Sequence, residues 1–311
     1  MSLNLHHLRI FARVAELGGF SLAATSLRLS QPAVSKSVRE LERQLQTTLF
    51  DRSLGAHALT ETGVALFTRA RELFAVERAA EEELRTIRGL ESGILRVGAS
   101  TTIATYLLPR YLSRFRAAHP KITLRVWAAN TRQIADAFLE RRFDIALVEG
   151  PVEDRRIEIH PWQRDELAII APPDHPLARK RSVVLADLVN AQFIVRERGS
   201  GTREVATEAL SAVGVTMPIV LVLGSTEAIK QAVGAGMGLA IVSRAAIGDQ
   251  IALRRIVTLS VCGLSFPRLL NELRLAGSAP SAAATAFRRT IRTTAILPDE
   301  KLATARPHGA P

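Results

Sequence analysis

Cysteine is nearly absent from this chain: its 311 residues hold one, Cys262. That excludes an internal disulfide framework and a zinc cluster built on cysteines. Cys262 itself, between Val261 and Leu264, is expected as a small core residue. The seven histidines include no His-x-x-x-His pair, and no Gly-x-Ser-x-Gly elbow occurs. Neither a helical zinc site nor a hydrolase nucleophile is therefore spelled out, and an enzyme, a metal and a cofactor are not expected. His119, His160 and His175 each stand beside a proline, which points to exposed loops. No apolar run approaches the roughly 20 residues that span a bilayer. The segment Met1 to His7 lacks the basic-then-apolar order of a signal peptide, so a cytoplasmic chain with no membrane partner is expected.

What is present is enough apolar material, 47% of residues against 23% charged, for two or three compact units. The formal net charge of +11 invites a nucleic-acid partner, yet residues 1–63 hold only seven Lys/Arg against five Asp/Glu. The sum of charge does not locate a site, and patterning has to.

Apolar residues from Leu5 to Leu17 recur at three- and four-residue steps, the mark of an amphipathic helix that Gly18-Gly19 ends. Ser21 is expected to cap a short second helix carrying Ala23, Ala24 and Leu27. Ser30 caps a third, with Pro32 tolerated in its first turn and its end near Leu45. In that third helix Ala33, Val34, Val38, Leu41 and Leu45 face inward. Gln31, Ser35, Lys36, Arg39 and Arg43 stay outside, a set of donors suited to base edges and phosphates in a major groove. Leu49 to Arg52 and Leu59-Thr60 then read as two short strands joined by Ser53 to His57, a wing.

These residues resemble the LysR-type transcriptional regulators. The resemblance runs through Phe11, Val14, Gly19-Phe20-Ser21, Ala23-Ala24, Leu29-Ser30-Gln31-Pro32-Ala33-Val34-Ser35, Leu41-Glu42, Leu49-Phe50, Arg52, Leu59-Thr60 and Gly63. It implies a winged helix-turn-helix over residues 1–63 that binds double-stranded DNA. The DNA-facing residues would be Ser30, Gln31, Pro32, Ser35, Lys36, Arg39, Arg43 and Arg52. Where the family's wing carries an arginine, this chain has Gly55, Ala56 and His57.

Residues 64–90 read as one linker helix, with Leu66, Ala70, Leu73, Ala80, Leu84 and Ile87 on a stripe that Glu77 interrupts. In the resembling family this helix pairs two chains, and tetramers are common, so a homo-oligomer is expected. From Gly93 onward strands and helices alternate, which predicts two α/β lobes. The strands are expected at 94–99, 122–128, 145–148, 167–171, 193–196, 219–223, 239–242 and 269–275. Helices are expected over 107–115, 132–141, 202–213, 227–235 and 281–294. The arrangement resembles the periplasmic-binding-protein fold of LysR-type effector domains, here residues 91–297 with two Rossmann-like lobes. The tail, 298–311, has little apolar content and is expected to be disordered.

Open α/β lobes bind ligands beyond the carboxyl ends of their strands, where helix N-termini also point. Three turns meet that description: Ser100-Thr101-Thr102, Gly199 to Arg203 with Ser200 and Thr202, and Gly224-Ser225-Thr226. Hydroxyls beside free helix-end amides suit an anion, to which Arg198 and Arg203 would add charge. Glu149 either opposes that anion or accepts from a donor group of it. The turn from Arg198 to Arg203, with Glu149-Gly150-Pro151, is also similar to the family's regulators of carbon fixation and of sulfur and cysteine metabolism, implying a small anionic metabolite as effector. The readings from other classes are a solute-binding receptor, or an enzyme, on the same kind of fold. Neither accounts for the helix-turn-helix.

Overall fold

The structure is a computed structural model that describes residues 3–51, 58–87, 93–277 and 280–293. The chain divides into two compact units, Met1–Leu84 and Arg85–Pro311.

In the first unit, α1 (Leu5–Leu17) begins under the Asn4 side chain, which accepts from the His6 and His7 amides, and stops at Gly18. The second helix, α2 (Phe20–Leu27), has no side-chain cap. Its bonding starts at the Gly19 carbonyl, which accepts from Ala23 N–H at 3.0 Å, so Ser21 lies inside the first turn and not at the cap expected of it. Ser30 does cap α3 (Gln31–Leu45), and Pro32 sits in its first turn. Phe11, Val14, Ala23, Val34, Val38 and Leu41 close the core between the three helices. The strands β1 (Phe50–Asp51) and β2 (Ala58–Leu59) pair antiparallel. Arg52 and the wing residues Ser53 to His57 lie outside the described residues.

The long helix α4 spans Glu61–Ile87. Its Ala70 and Phe74 enter the core, while Leu73, Val76 and Leu84 stay exposed. Glu77, which breaks the apolar stripe, is held by two bonds from the Arg9 guanidinium at 2.7 and 2.6 Å. Arg9 also lies over the Phe74 ring, 4.3 Å from its centroid.

The second unit runs β3 (Gly93–Ser100), a π-helical turn (Ile103–Leu107), α5 (Leu108–Ala118), β4 (Ile122–Ala129), α6 (Thr131–Leu139), β5 (Ile145–Glu149) and β6 (Ile157–Ala171). It continues with α7 (Leu185–Leu188), β7 (Phe193–Arg196), α8 (Gly201–Ala212), β8 (Ile219–Leu223), α9 (Thr226–Gly234), β9 (Leu239–Ser243), α10 (Gly248–Ala252), β10 (Val257–Leu259), β11 (Phe266–Leu275) and α11 (Ala282–Thr293). One sheet carries both lobes, in the order β4-β3-β5-β11-β6-β9-β7-β8, with β10 added to β6. Within each lobe the strands are parallel, and the antiparallel pair β6 and β11 crosses between lobes from Leu275↔Ile157 to Phe266↔Leu167.

Helices cover both faces of both lobes, which is why β5 and β9 are apolar from Ile145 to Val148 and from Leu239 to Val242, before their last residues, Glu149 and Ser243. In the first lobe Leu95, Val97, Tyr111, Phe115 and Phe287 fill one face, and Ile134, Phe138, Ala146 and Val148 the other. In the second lobe Ile169, Phe193, Leu210 and Ile241 oppose Ile170, Ile194, Ile229 and Val242 in the same way.

Three further expectations change. The strand expected from Leu167 begins ten residues earlier, at Ile157, because Glu158, Arg164 and Glu166 on its exposed side hide the strand pattern. His160 accordingly lies within β6, half-buried beside Glu158. Cys262 is exposed, in the turn after β10 where its N–H donates to the Val183 carbonyl at 3.0 Å; the Gly263 turn points it outward. Among the described residues, no helix is long and apolar enough to cross a membrane, and no His/Cys/Asp/Glu group could hold a metal ion.

Candidate nucleic-acid interface and effector cleft

On α3, Gln31, Pro32, Lys36, Arg39 and Arg43 are exposed and Ser35 is half-buried. Arg39 lies along the helix and donates to Ser35 Oγ at 2.9 Å, one turn away. Arg43 pairs with Glu40 at 2.5 Å and, through that bond first, holds the carboxyl below its ordinary pKa. Ser30 spends its oxygen on the Ala33 amide. The result is a row of donors on one helix with its opposite side sealed into the core, the geometry a helix needs to lie in a groove.

The cleft is assembled from the carboxyl ends of β3, β5 and β7 and the starts of α6, α8 and α9. At its centre Glu149, 2% exposed, accepts from the Ser100 hydroxyl on one carboxylate oxygen and from Thr202 Oγ1 at 3.4 Å on the other. Thr202 in turn accepts from Arg268 Nη1 at 2.9 Å, and that guanidinium stands 3.9 Å from Glu149. Arg268 also pairs with Asp165 at 2.7 Å, and Asp165 accepts from Ser243 Oγ at 2.9 Å. The backbone closes on the same point. Gly150 has φ +81°, and a Cβ on Gly201 would stand 1.8 Å from the Glu149 carbonyl oxygen, so glycine is required where the lobes touch.

The expected residues therefore divide. Ser100, Glu149 and Thr202 come together, but on one another, joining the lobes. Arg203 donates to the Arg196 carbonyl at 3.0 Å, so its charge is spent within its own lobe. Thr101 donates to the Ala129 carbonyl at 3.2 Å, and Ser225 caps α9. Arg198 is exposed. Thr102 and Ser200 differ from all of these: the residues are 1% and 2% exposed, yet neither hydroxyl has a hydrogen-bond partner among the described residues. Ser200 stands at the N-cap of α8, beside the free amides of the first turn.

Arg196, Arg268, Asp165 and Lys230 escaped the sequence reading. Arg196 is buried at the end of β7, donating to Thr226 Oγ1 at 3.2 Å and twice to Glu197, at 2.8 and 2.9 Å. Burial raises the Glu197 carboxyl, but the bonds from Arg196 outweigh it and hold its pKa below the ordinary value. For Arg268 a signal existed: Phe266, Arg268 and Leu270 share one side of β11, which puts the arginine with the core. A separate cavity of about 420 Å³ lies between α6, residues 151–157 and Gly199, and the hydroxyl cluster does not line it.

Residues 5–64 match the family described as bacterial regulatory helix-turn-helix protein, lysR family, and residues 88–295 match the LysR substrate binding domain. The RuBisCO operon transcriptional regulator of Allochromatium vinosum is 36% identical over 291 residues, covering 94% of this chain and 96% of that protein. The HTH-type transcriptional regulator CysL of Bacillus subtilis is 34% identical over 266 residues, covering 86% of this chain and 89% of that one. Among solved structures, the CcmR regulatory domain of Synechocystis PCC6803 in complex with 2-PG is similar at 30% identity with a TM-score of 0.62, covering 66% of this chain and 99% of that one.

Proposed function

The chain belongs to the LysR family of bacterial transcriptional regulators, with a DNA-binding helix-turn-helix followed by an effector-binding domain, and from that premise we propose that its effector is a small anion held between the two lobes. The observation that carries this reading is the two buried hydroxyls without a hydrogen-bond partner among the described residues, Thr102 after β3 and Ser200 at the start of α8, whose first amides are free. The similar CcmR domain, solved with 2-PG, supports the same class. Thr101, Ser225, Arg198 and Thr226 with Arg196 complete the ligand side. Ser100, Glu149, Thr202 and Arg203 belong to the scaffold that joins the lobes.

On the DNA side, Gln31, Pro32, Ser35, Lys36, Arg39 and Arg43 contact the duplex, Ser30 anchors the helix start and Arg52 extends the footprint. Residues 64–90 pair two chains through the exposed Leu73, Val76 and Leu84, and two such pairs make a tetramer. The chain acts in the cytoplasm, by regulation and not catalysis. Effector binding favours one arrangement of the lobes over another and so shifts the paired DNA-binding units.

A thermal-shift screen against phosphorylated acids, sulfated acids and inorganic anions tests the reading. A ligand of the native state raises the melting temperature once it exceeds its dissociation constant. A dose-dependent rise that Ser200→Ala reduces is the expected result, and no rise across the panel would count against an anionic effector.

A further inference from the structure

The two edges of the cleft are bridged by different means. On one edge the lobes meet backbone to backbone: Gly201 abuts the Glu149 carbonyl, and the Arg132 N–H donates to the Gly199 carbonyl at 3.1 Å. On the other edge a side-chain hydrogen bond crosses. Tyr106, in the π-helical turn of the first lobe, donates its hydroxyl to Glu227 on α9 of the second. Lys230, one turn along α9, supports that carboxylate from 2.7 Å. Its ammonium also donates to the Ala246 carbonyl at 2.7 Å and lies 4.9 Å from the centroid of the Tyr106 ring. Only 5% of the Lys230 side chain is exposed.

We propose that Tyr106, Glu227 and Lys230 form the gate of the cleft, the bond that breaks when the lobes part. The proposal rests on the reading that the effector binds between the lobes. Its physical basis is the contrast between the edges. A side-chain hydrogen bond exchanges for bonds to water at small net cost. Parting the Gly201 contact instead breaks the network of Glu149, Thr202 and Arg268 and leaves buried charges without partners. The gate is also pre-set. Burial, then the bond to Glu227, keeps the Tyr106 phenol above its ordinary pKa, so it remains a donor. Burial raises the Glu227 carboxyl, but the bonds from Lys230 and Tyr106 outweigh it, so it remains an ionised acceptor. A π-helical turn is rare and recurs at functional positions.

Hydrogen–deuterium exchange on the full chain without ligand tests this. Tyr106→Phe deletes the hydroxyl and keeps the ring over Lys230; Glu227→Ala removes the acceptor. If the bond holds the lobes together, Tyr106→Phe speeds exchange at residues 226–234 and Glu227→Ala speeds it at residues 103–107, each about fivefold. Reciprocal loosening upholds the gate, and loosening confined to the mutated lobe overturns it. Titrating the wild-type chain with inorganic phosphate in the same experiment reports separately on the anion reading. Without phosphate binding that reading is weakened, while the exchange result still decides the gate.

Discussion

The outer face of α3 and the cleft between the lobes use the same kinds of side chain in opposite ways. On α3 Gln31, Lys36, Arg39 and Arg43 are exposed, and the bonds of Arg39 and Arg43 go to Ser35 and Glu40 of the same helix. In the cleft the polar residues are buried, drawn from segments as distant as Ser100 and Arg268, and most are spent on one another. A nucleic acid is read by a surface, so polarity there costs little to maintain. A small ligand is held in a space from which water is largely excluded, so nearly every polar group there must find a partner.

The largest effect should fall on the buried network. Arg268→Met leaves Asp165 and Glu149 buried without their cation and should lower the stability of the effector domain by about 4 kcal/mol. Both tryptophans, Trp127 and Trp162, belong to that domain, so urea unfolding followed by tryptophan fluorescence reads it without the DNA-binding unit. A loss below about 1 kcal/mol would mean that the network is slack. Gly201→Ala, forced against the Glu149 carbonyl, should cost about 3 kcal/mol in the same assay.

Glu272 supplies the pH-dependent case. It accepts from Arg274 at 3.0 Å and from Arg288 on α11, tying β11 to the last helix. Burial raises its carboxyl, but these arginines outweigh it, so its folded pKa lies below its unfolded one. Its stabilisation is therefore present above the ordinary carboxyl range and lost as pH falls through the folded value. Glu272→Gln should cost roughly 2 kcal/mol at neutral pH. The difference from wild type should shrink toward zero below about pH 4, and a constant difference across pH titrations of urea midpoints would contradict this account.

On the exposed side, Arg39→Ala should weaken operator binding about tenfold in a fluorescence-anisotropy titration. The unfolding midpoint should stay within roughly 0.5 kcal/mol of wild type. A stability loss would place Arg39 with the buried class and dissolve the comparison.

The same contrast explains what the sequence made legible. The three helices of the first unit announce themselves through local spacing, and α3 can be divided into faces because its core side is Val34, Val38 and Leu41. The three hydroxyl turns of the cleft were also legible, since each follows a strand and opens a helix. Their division of labour was not. Whether Thr202 serves a ligand or Glu149 depends on Arg268, 66 residues away in the chain, and no local pattern carries that. Arg198 drew attention as a charge in a glycine-rich turn, while the buried charge is Arg196 two residues earlier, hidden because it completes an apolar strand. The first half of β6 was lost for the converse reason, its charged side masking a strand.

The most direct test of an anionic effector seated on the Thr102 and Ser200 hydroxyls is calorimetric titration of the full chain with 2-PG and inorganic phosphate, comparing wild type with Thr102→Val/Ser200→Ala. The account predicts that wild type binds at least one of these anions and that the double variant binds it more than about tenfold more weakly, with its unfolding midpoint unchanged. Equal affinity in the two proteins, or no binding to wild type, would contradict it.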